Sequence, residues 1–178
     1  MDRKRYEILE ALPVYGPMYI AVSDNEEEFS SQGFAIRFYR MDETSWVANF
    51  KPGWSGLNEV HEFAGLPDLL IIAGGMCYIM NPEEAKPVAV FGLYYKGSLK
   101  IPDGRLVLYD LTRITVVEAN CQYWDSERIS WDGIKEIKLE SNLVKGLAYD
   151  PTDNEDEWKT FILDLDTRKV TGGSYLLR

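Results

Sequence analysis

Trp54-Ser55-Gly56-Leu57-Asn58-Glu59-Val60-His61-Glu62-Phe63 and Trp131-Asp132-Gly133-Ile134-Lys135-Glu136-Ile137-Lys138-Leu139-Glu140 read alike. Each opens on an aromatic residue, one spacer and a glycine, and continues as a strand-like stretch. Tyr95-Lys96-Gly97 repeats the opening between them. The three glycines lie 41 and then 36 residues apart, the spacing of a four-stranded propeller blade. Leu69, Leu106 and Leu143 follow at intervals of 37, and the period predicts equivalent places for them in successive sheets.

Each copy unfolds in the same way. Asp68-Leu69-Leu70-Ile71-Ile72 leads through Gly74-Gly75 to Cys77-Tyr78-Ile79-Met80 and Asn81-Pro82. Arg105-Leu106-Val107-Leu108-Tyr109 leads through Asp110 to Ile114-Thr115-Val116-Val117 and Ala119-Asn120. Asn142-Leu143-Val144 and Leu147-Ala148-Tyr149 lead into a longer polar loop, then Phe161-Ile162-Leu163-Asp164-Leu165. Gly, Asn, Asp and Pro mark the turns because they supply or fix the backbone angles that turns need. Glycine eases the sharp path into each new unit, so the rings of Trp54, Tyr95 and Trp131 are expected to be buried as wedges between sheets.

The first fifty residues depart from the period. Arg3 to Leu12 predicts a short amphipathic helix ended before Pro13. Met18–Val22, Phe34–Tyr39 and Ser45–Phe50 predict three strands, with Asp24–Glu28 an acidic surface segment and Met41–Thr44 a hairpin turn. Ile36, Phe38, Ala48 and Phe50 alternate as one buried face. The expectation is a single domain over 1–178, an N-terminal sheet in 1–50 and three blade-like repeats in 51–178. Its twelve to fourteen strands form an all-β, compact or incomplete β-propeller of about four blades. A two-sheet β-sandwich is the competing architecture. Open edges then need blunting, for which Lys100, Pro102, Lys135 and Lys138 are suitable residue types.

Composition narrows the function. The 178 residues carry 19 Lys and Arg against 29 Asp and Glu, a formal charge of −10. Such a surface repels phosphate backbones, which argues against nucleic acid, and attracts cationic partners. It also favours solubility. Hydrophobic residues at 46% and aromatics at 13% supply a core, and eleven Tyr and five Trp suit strands. Met1–Glu10 lacks an apolar run of leader length, and no stretch nears the roughly 18 apolar residues of a membrane span. Cys77 and Cys121 sit in apolar or aromatic strand contexts and are expected as free, buried thiols. The location expected is cytoplasmic, of a bacterial type, with no membrane partner.

Catalytic groups are few. His61 is the sole histidine, in a strand between Val60 and Glu62, and reads as structural rather than as a base. No zinc ligand set, nucleophile elbow, phosphate loop or dinucleotide fingerprint is present. Gly74-Gly75 and Gly172-Gly173 are turn signals. No catalytic, metal or cofactor residue is therefore assigned. Two stretches remain as binding candidates. Asp150, Asp153, Glu155, Asp156 and Glu157, followed by Trp158, form an acidic loop expected to be exposed, mobile and metal-free, and suited to a basic protein partner. Trp124, Arg128 and Trp131 offer a stacking pocket for a planar ligand, or else Arg128 is a strut pairing Glu127 or Asp132.

Lys51-Pro52-Gly53-Trp54-Ser55-Gly56-Leu57, Ile72-Ala73-Gly74-Gly75, Glu127–Gly133 and Gly146–Pro151 resemble a small family of uncharacterised bacterial β-repeat proteins. The spacing is more loosely similar to blades of the tryptophan–aspartate type, although Trp131-Asp132 lies at a strand entry and no Gly-His pair precedes it. The resemblance implies a fold and no activity. The function expected is a non-enzymatic binding module, of which an acidic inhibitor or immunity-type protein is a concrete version. The alternatives are a carboxylate-dependent hydrolase acting on carbohydrate, and a structural subunit that closes its sheet edges as a homo-oligomer.

Overall fold

The computed structural model describes residues 4–15, 18–24, 29, 31–152 and 156–175. The chain is all-β, with sixteen strands in four four-stranded sheets and no helix among the described residues. It divides into two compact units, Met1–Tyr94 and Tyr95–Arg178.

The first unit holds two sheets. Sheet I contains β1 (Tyr6–Leu9), β2 (Ile20–Val22), β3 (Phe34–Tyr39) and β4 (Ser45–Phe50) in the order β1-β3-β4-β2. The β2–β4 pair is parallel and the other pairs are antiparallel. Sheet II is a meander of β5 (Glu59–Glu62), β6 (Leu69–Ala73), β7 (Met76–Met80) and β8 (Ala89–Phe91). Alternate residues of each sheet meet in one core. Ile36, Phe38, Trp46, Ala48 and Phe50 of sheet I face Leu69, Ile71, Tyr78 and Met80 of sheet II. Phe38 stacks against Trp46 at 5.1 Å, and Phe50 against Tyr78 at 5.1 Å. The opposite face of sheet II, with Leu70, Ile72, Cys77 and Ile79, is buried as well. Two buried faces explain why the strands run apolar without alternation.

The helix expected over Arg3 to Leu12 is instead the edge strand β1 across its central residues. Tyr6, Glu7, Ile8 and Leu9 pair with Phe38, Arg37, Ile36 and Ala35. The pairing is reinforced where Arg37 and the Tyr39 hydroxyl both donate to Glu7 Oε2, at 3.0 and 2.8 Å. A single short helix is marginal in water, so a sheet edge offering backbone and side-chain partners decides the conformation.

The second unit repeats the two-sheet plan. Sheet III is β9 (Gly97–Lys100), β10 (Leu106–Tyr109), β11 (Ile114–Val117) and β12 (Tyr123–Asp125). Sheet IV is β13 (Ile134–Glu140), β14 (Leu143–Pro151), β15 (Asp156–Asp164) and β16 (Val170–Gly172). Both are antiparallel meanders. Val107, Ile114 and Val116 of sheet III pack with Ile134, Val144, Ala148, Phe161 and Leu163 of sheet IV. Along β14 burial alternates residue by residue, so the second face of sheet IV is open in part to solvent. The edge strand β13 is bent by a register shift between Lys135 and Lys138, with Glu136 at φ 55°. A bulge and lysines together blunt an edge.

The leucine period holds in place. Leu69, Leu106 and Leu143 each begin the second strand of their sheet. They pair backward with Glu62, Lys100 and Glu140, the last residues of the first strands. Leu143 alone is only half-buried, because it lies on the open face of sheet IV.

The three aromatic-x-glycine copies do not share one role. Tyr95 is buried as expected, at 4% exposure, with its hydroxyl 2.6 Å from Thr115 Oγ1. Trp54 is 75% exposed and Trp131 45%, against the expected wedge. Around Trp54 the backbone is what is held: Gly53 N, Trp54 N and Ser55 N donate to Ala73 O, Leu93 O and Gly74 O at 2.9, 2.9 and 2.8 Å. Along that path Pro52, Trp54, Gly56 and Asn58 are the exposed residues, in alternation with half-buried ones.

An arginine pins the turns of each unit. Arg5 donates to Leu66 O and Pro67 O at the β5–β6 turn. Arg105 bonds Asp103 through Nε at 2.8 Å and reaches Asn142 Oδ1 of the β13–β14 turn at 2.8 Å. The Arg105 guanidinium donates to the Asp103 carboxyl and lowers its pKa. A depressed carboxylate contributes stability above its unfolded value, and that contribution is lost as pH falls through the folded value. Arg105→Met is therefore expected to cost about 1–2 kcal/mol near neutral pH in urea melts. The gap to wild type should narrow as pH drops below about 4. A gap independent of pH would assign the effect to the uncharged partners, Asn142 Oδ1 above all, and to packing of the arginine stem.

Candidate functional site

The start of β13 and the far end of the β14–β15 hairpin meet at Gly133 and Tyr149. Tyr149 N donates to Gly133 O at 2.8 Å, and Trp131 N to Tyr149 O at 3.4 Å. The buried Ser130 hydroxyl donates to Gly133 O at 2.7 Å, closing a local turn of the kind serine favours. Ile129 N and Ser130 N both donate to Thr112 O, which ties this entry segment to sheet III. The C-terminal segment then crosses it. Ser174 N and Tyr175 N donate to Ile129 O at 2.9 and 3.1 Å. Gly173, at φ 88°, would place a Cβ 2.6 Å from that same carbonyl, so this crossing requires glycine.

Two aromatic–cation clusters flank this junction. In the first, Trp131 meets Tyr175 at 4.7 Å, with the rings inclined at 72°. The Arg128 guanidinium stacks 4.3 Å from the Tyr175 centroid and 5.7 Å from that of Trp131. It also donates to Ser130 O at 3.0 Å and Trp131 O at 2.8 Å. In the second, Trp158 meets Tyr149 at 5.5 Å, and Lys135 Nζ lies 3.7 Å from the Trp158 ring centroid. A Cβ on Gly133 would approach the Trp158 ring and Tyr149 Cβ to 3.1 Å each, so glycine lets the indole lie close over the backbone. The Tyr149 hydroxyl donates to Asp156 Oδ1 at 2.6 Å. That bond raises the Tyr149 pKa, with smaller contributions from desolvation and from the charges of Asp156 and Asp132.

These contacts bring together parts of both sequence candidates. Asp150, Asp156, Glu157 and Trp158 lie on strands, not in a loop, because β14 and β15 run nine residues each. Asp150 pairs with Glu157 and Pro151 with Asp156 in the ladder. The Tyr149–Trp158 ring pair sustains the hairpin further than its acidic composition suggests. Asp153 and Glu155 lie outside the described residues. Trp131 and Arg128 join Trp158 through Gly133 and Tyr149. Arg128 is a strut, as one reading of the sequence held, but its partners are carbonyls and rings.

Trp124 belongs to a different cluster. It is half-buried against the sheet III–IV core, donates through Nε1 to Glu118 at 2.7 Å, and carries Arg168 over its ring at 4.8 Å. Tyr149, Tyr175 and Lys135 were missed as site residues. Lys135, two residues after Gly133 on an alternating strand, was the one legible signal. Tyr175 depends on the path beyond β16, which local pattern does not encode.

Elsewhere, the buried His61 Nε2 lies 2.7 Å from Glu59 Oε2 on the second face of sheet II. Cys77 is buried on the same face, and desolvation, aided by the Glu59 charge, pushes its thiol well above the usual range. Such a thiol is a poor nucleophile. Among the described residues no three His, Cys, Asp or Glu side chains converge as a metal site, and no helix is long and apolar enough to cross a membrane. The Gly133–Tyr149 junction is suited to binding: exposed indoles in fixed planes, bordered by carboxylates. Comparison of the chain with protein-family models and with curated protein sequences finds no match.

Proposed function

We propose that the protein is a non-enzymatic, cytoplasmic interaction module that docks a basic protein at the Gly133–Tyr149 junction, in the manner of an acidic inhibitor or immunity-type protein. One observation carries this reading. Trp131 and Trp158 remain 45% and 37% exposed although each is locked by a tyrosine and a cation. Rigid aromatic rings lose little entropy on binding and are the commonest hot-spot anchors. Asp156 and Asp132 act on Tyr149 beside them, in a chain of charge −10, so the complementary surface is cationic.

The test is capture from the native host followed by kinetics with the recovered protein. The expected partner has a high isoelectric point, and its association rate should fall about ten-fold or more between roughly 20 and 300 mM salt. Trp131→Ala combined with Asp156→Asn should weaken the complex by about 2 kcal/mol or more. A neutral or acidic partner, or a partner indifferent to both substitutions, overturns the reading.

A further inference from the structure

Lys135 and Arg128 both lie over indole rings, yet they are held differently. Arg128 is fixed by two hydrogen bonds to carbonyls in addition to its ring contacts, and withdrawing it would leave the carbonyls of Ser130 and Trp131 without that donor. The Lys135 ammonium has no ion-pair or hydrogen-bond partner among the described residues; it rests 3.7 Å from the Trp158 centroid. Lys135 is half-buried at its stem, and lifting the ammonium breaks the one cation–π contact that holds the charge. The ring it covers is otherwise constrained from below by Gly133 and from the side by Tyr149.

Resting on the docking reading above, we infer that the Trp158 face is a slot for one arginine or lysine side chain of the partner, and that Lys135 is its resident occupant. Docking proceeds by exchange. The partner's cation takes the ring face, Lys135 swings into solvent, and Asp156, anchored on the Tyr149 hydroxyl at 2.6 Å, stands beside the incoming charge. A guanidinium is favoured over an ammonium, since it is planar, more weakly hydrated and stacks on an indole while keeping its N–H groups free for a carboxylate. Lys135 thereby sets the threshold: a partner must present a cation that competes with it, and a merely apolar surface does not.

The experiment uses the full chain and a hexa-arginine peptide as probe, with the Trp158 indole N–H followed by NMR and assigned through Trp158→Phe. In the wild type, the peptide should shift the Trp158 resonance. Lys135→Met should tighten binding about five-fold, the worth of one exposed cation–π contact. Lys138→Met removes the same charge from the same strand with no ring beneath it, and should change affinity by about two-fold at most. Lys135→Arg, a stronger stacking cation, should weaken binding below wild type. Equal gains from Lys135→Met and Lys138→Met, with Trp158 still shifted, would overturn the exchange while leaving the docking reading intact. A Trp158 resonance that the peptide leaves unmoved would overturn both.

Discussion

Gly53→Ala should destabilise the first unit by about 3 kcal/mol, whereas Gly56→Ala, three residues on, should be neutral or stabilising by about 0.4–1 kcal/mol. A Cβ on Gly53 would lie 2.2 Å from Leu93 O, 2.7 Å from Gly74 O and 3.0 Å from Met76 N. All three are backbone atoms, and Gly53 N is itself bonded to Ala73 O. No rotamer change relieves the clash. The strap must lift from the β6–β7 turn and lose the bonds at Gly53, Trp54 and Ser55 together. At Gly56 nothing lies within 4 Å of the added carbon, and alanine restricts the unfolded chain. Urea melts of the two variants decide the matter. Equal midpoints would mean that the strap is not closely packed against the turn.

Phe161→Ala should cost about 3–5 kcal/mol, toward the upper end of that range. Phe161 is fully buried in the core between sheets III and IV. Its cross-strand partner is Gly146, and the ring fills the space a side chain there would need, 2.8 Å from the position of a Cβ. Truncation therefore leaves a hole opposite a residue with no side chain, so that Ile137, whose Cδ1 reaches the same space, is left to fill it across the sheet, and the cost of a cavity rises as its walls fail to collapse. Phe161→Leu should cost clearly less. A loss under about 1 kcal/mol for the alanine variant would show that sheets III and IV close over the gap.

Much of the architecture was legible because its causes are local and periodic. The 37-residue leucine spacing marks the start of β6, β10 and β14, the second strand of each meander, although the strands and the turns between them vary in length. Alternation in Phe34–Tyr39 and Ser45–Phe50 identified the face that builds the first core, with Trp46 as the member it left out. The reading failed where a distant partner overrides local preference. The segment around Tyr6–Leu9 has helix-compatible spacing, but Glu7 finds Arg37 and Tyr39 across the sheet. Asp150 to Glu157 reads as a solvated loop, yet its ends remain in the ladder because Tyr149 and Trp158 cover each other.

The aromatic-x-glycine repeat shows the division most directly. Sequence by itself determined that Trp54, Tyr95 and Trp131 stand at entries to sheets, because glycine spacing and strand pattern are properties of neighbouring residues. Which rings are buried was decided only by tertiary structure. Tyr95 found Thr115 inside its unit, the backbone pairing of Gly53 to Ser55 turned Trp54 outward, and Trp131 met Tyr175 from a segment more than forty residues later. The candidate site follows the same rule. Its acids and indoles, and Arg128 beside Trp131, were visible in the chain, but the Tyr175 ring against Trp131 and the Lys135 cation over Trp158 come from other segments. A ring's exposed face is set by what folds over it, and that is a property of the whole fold.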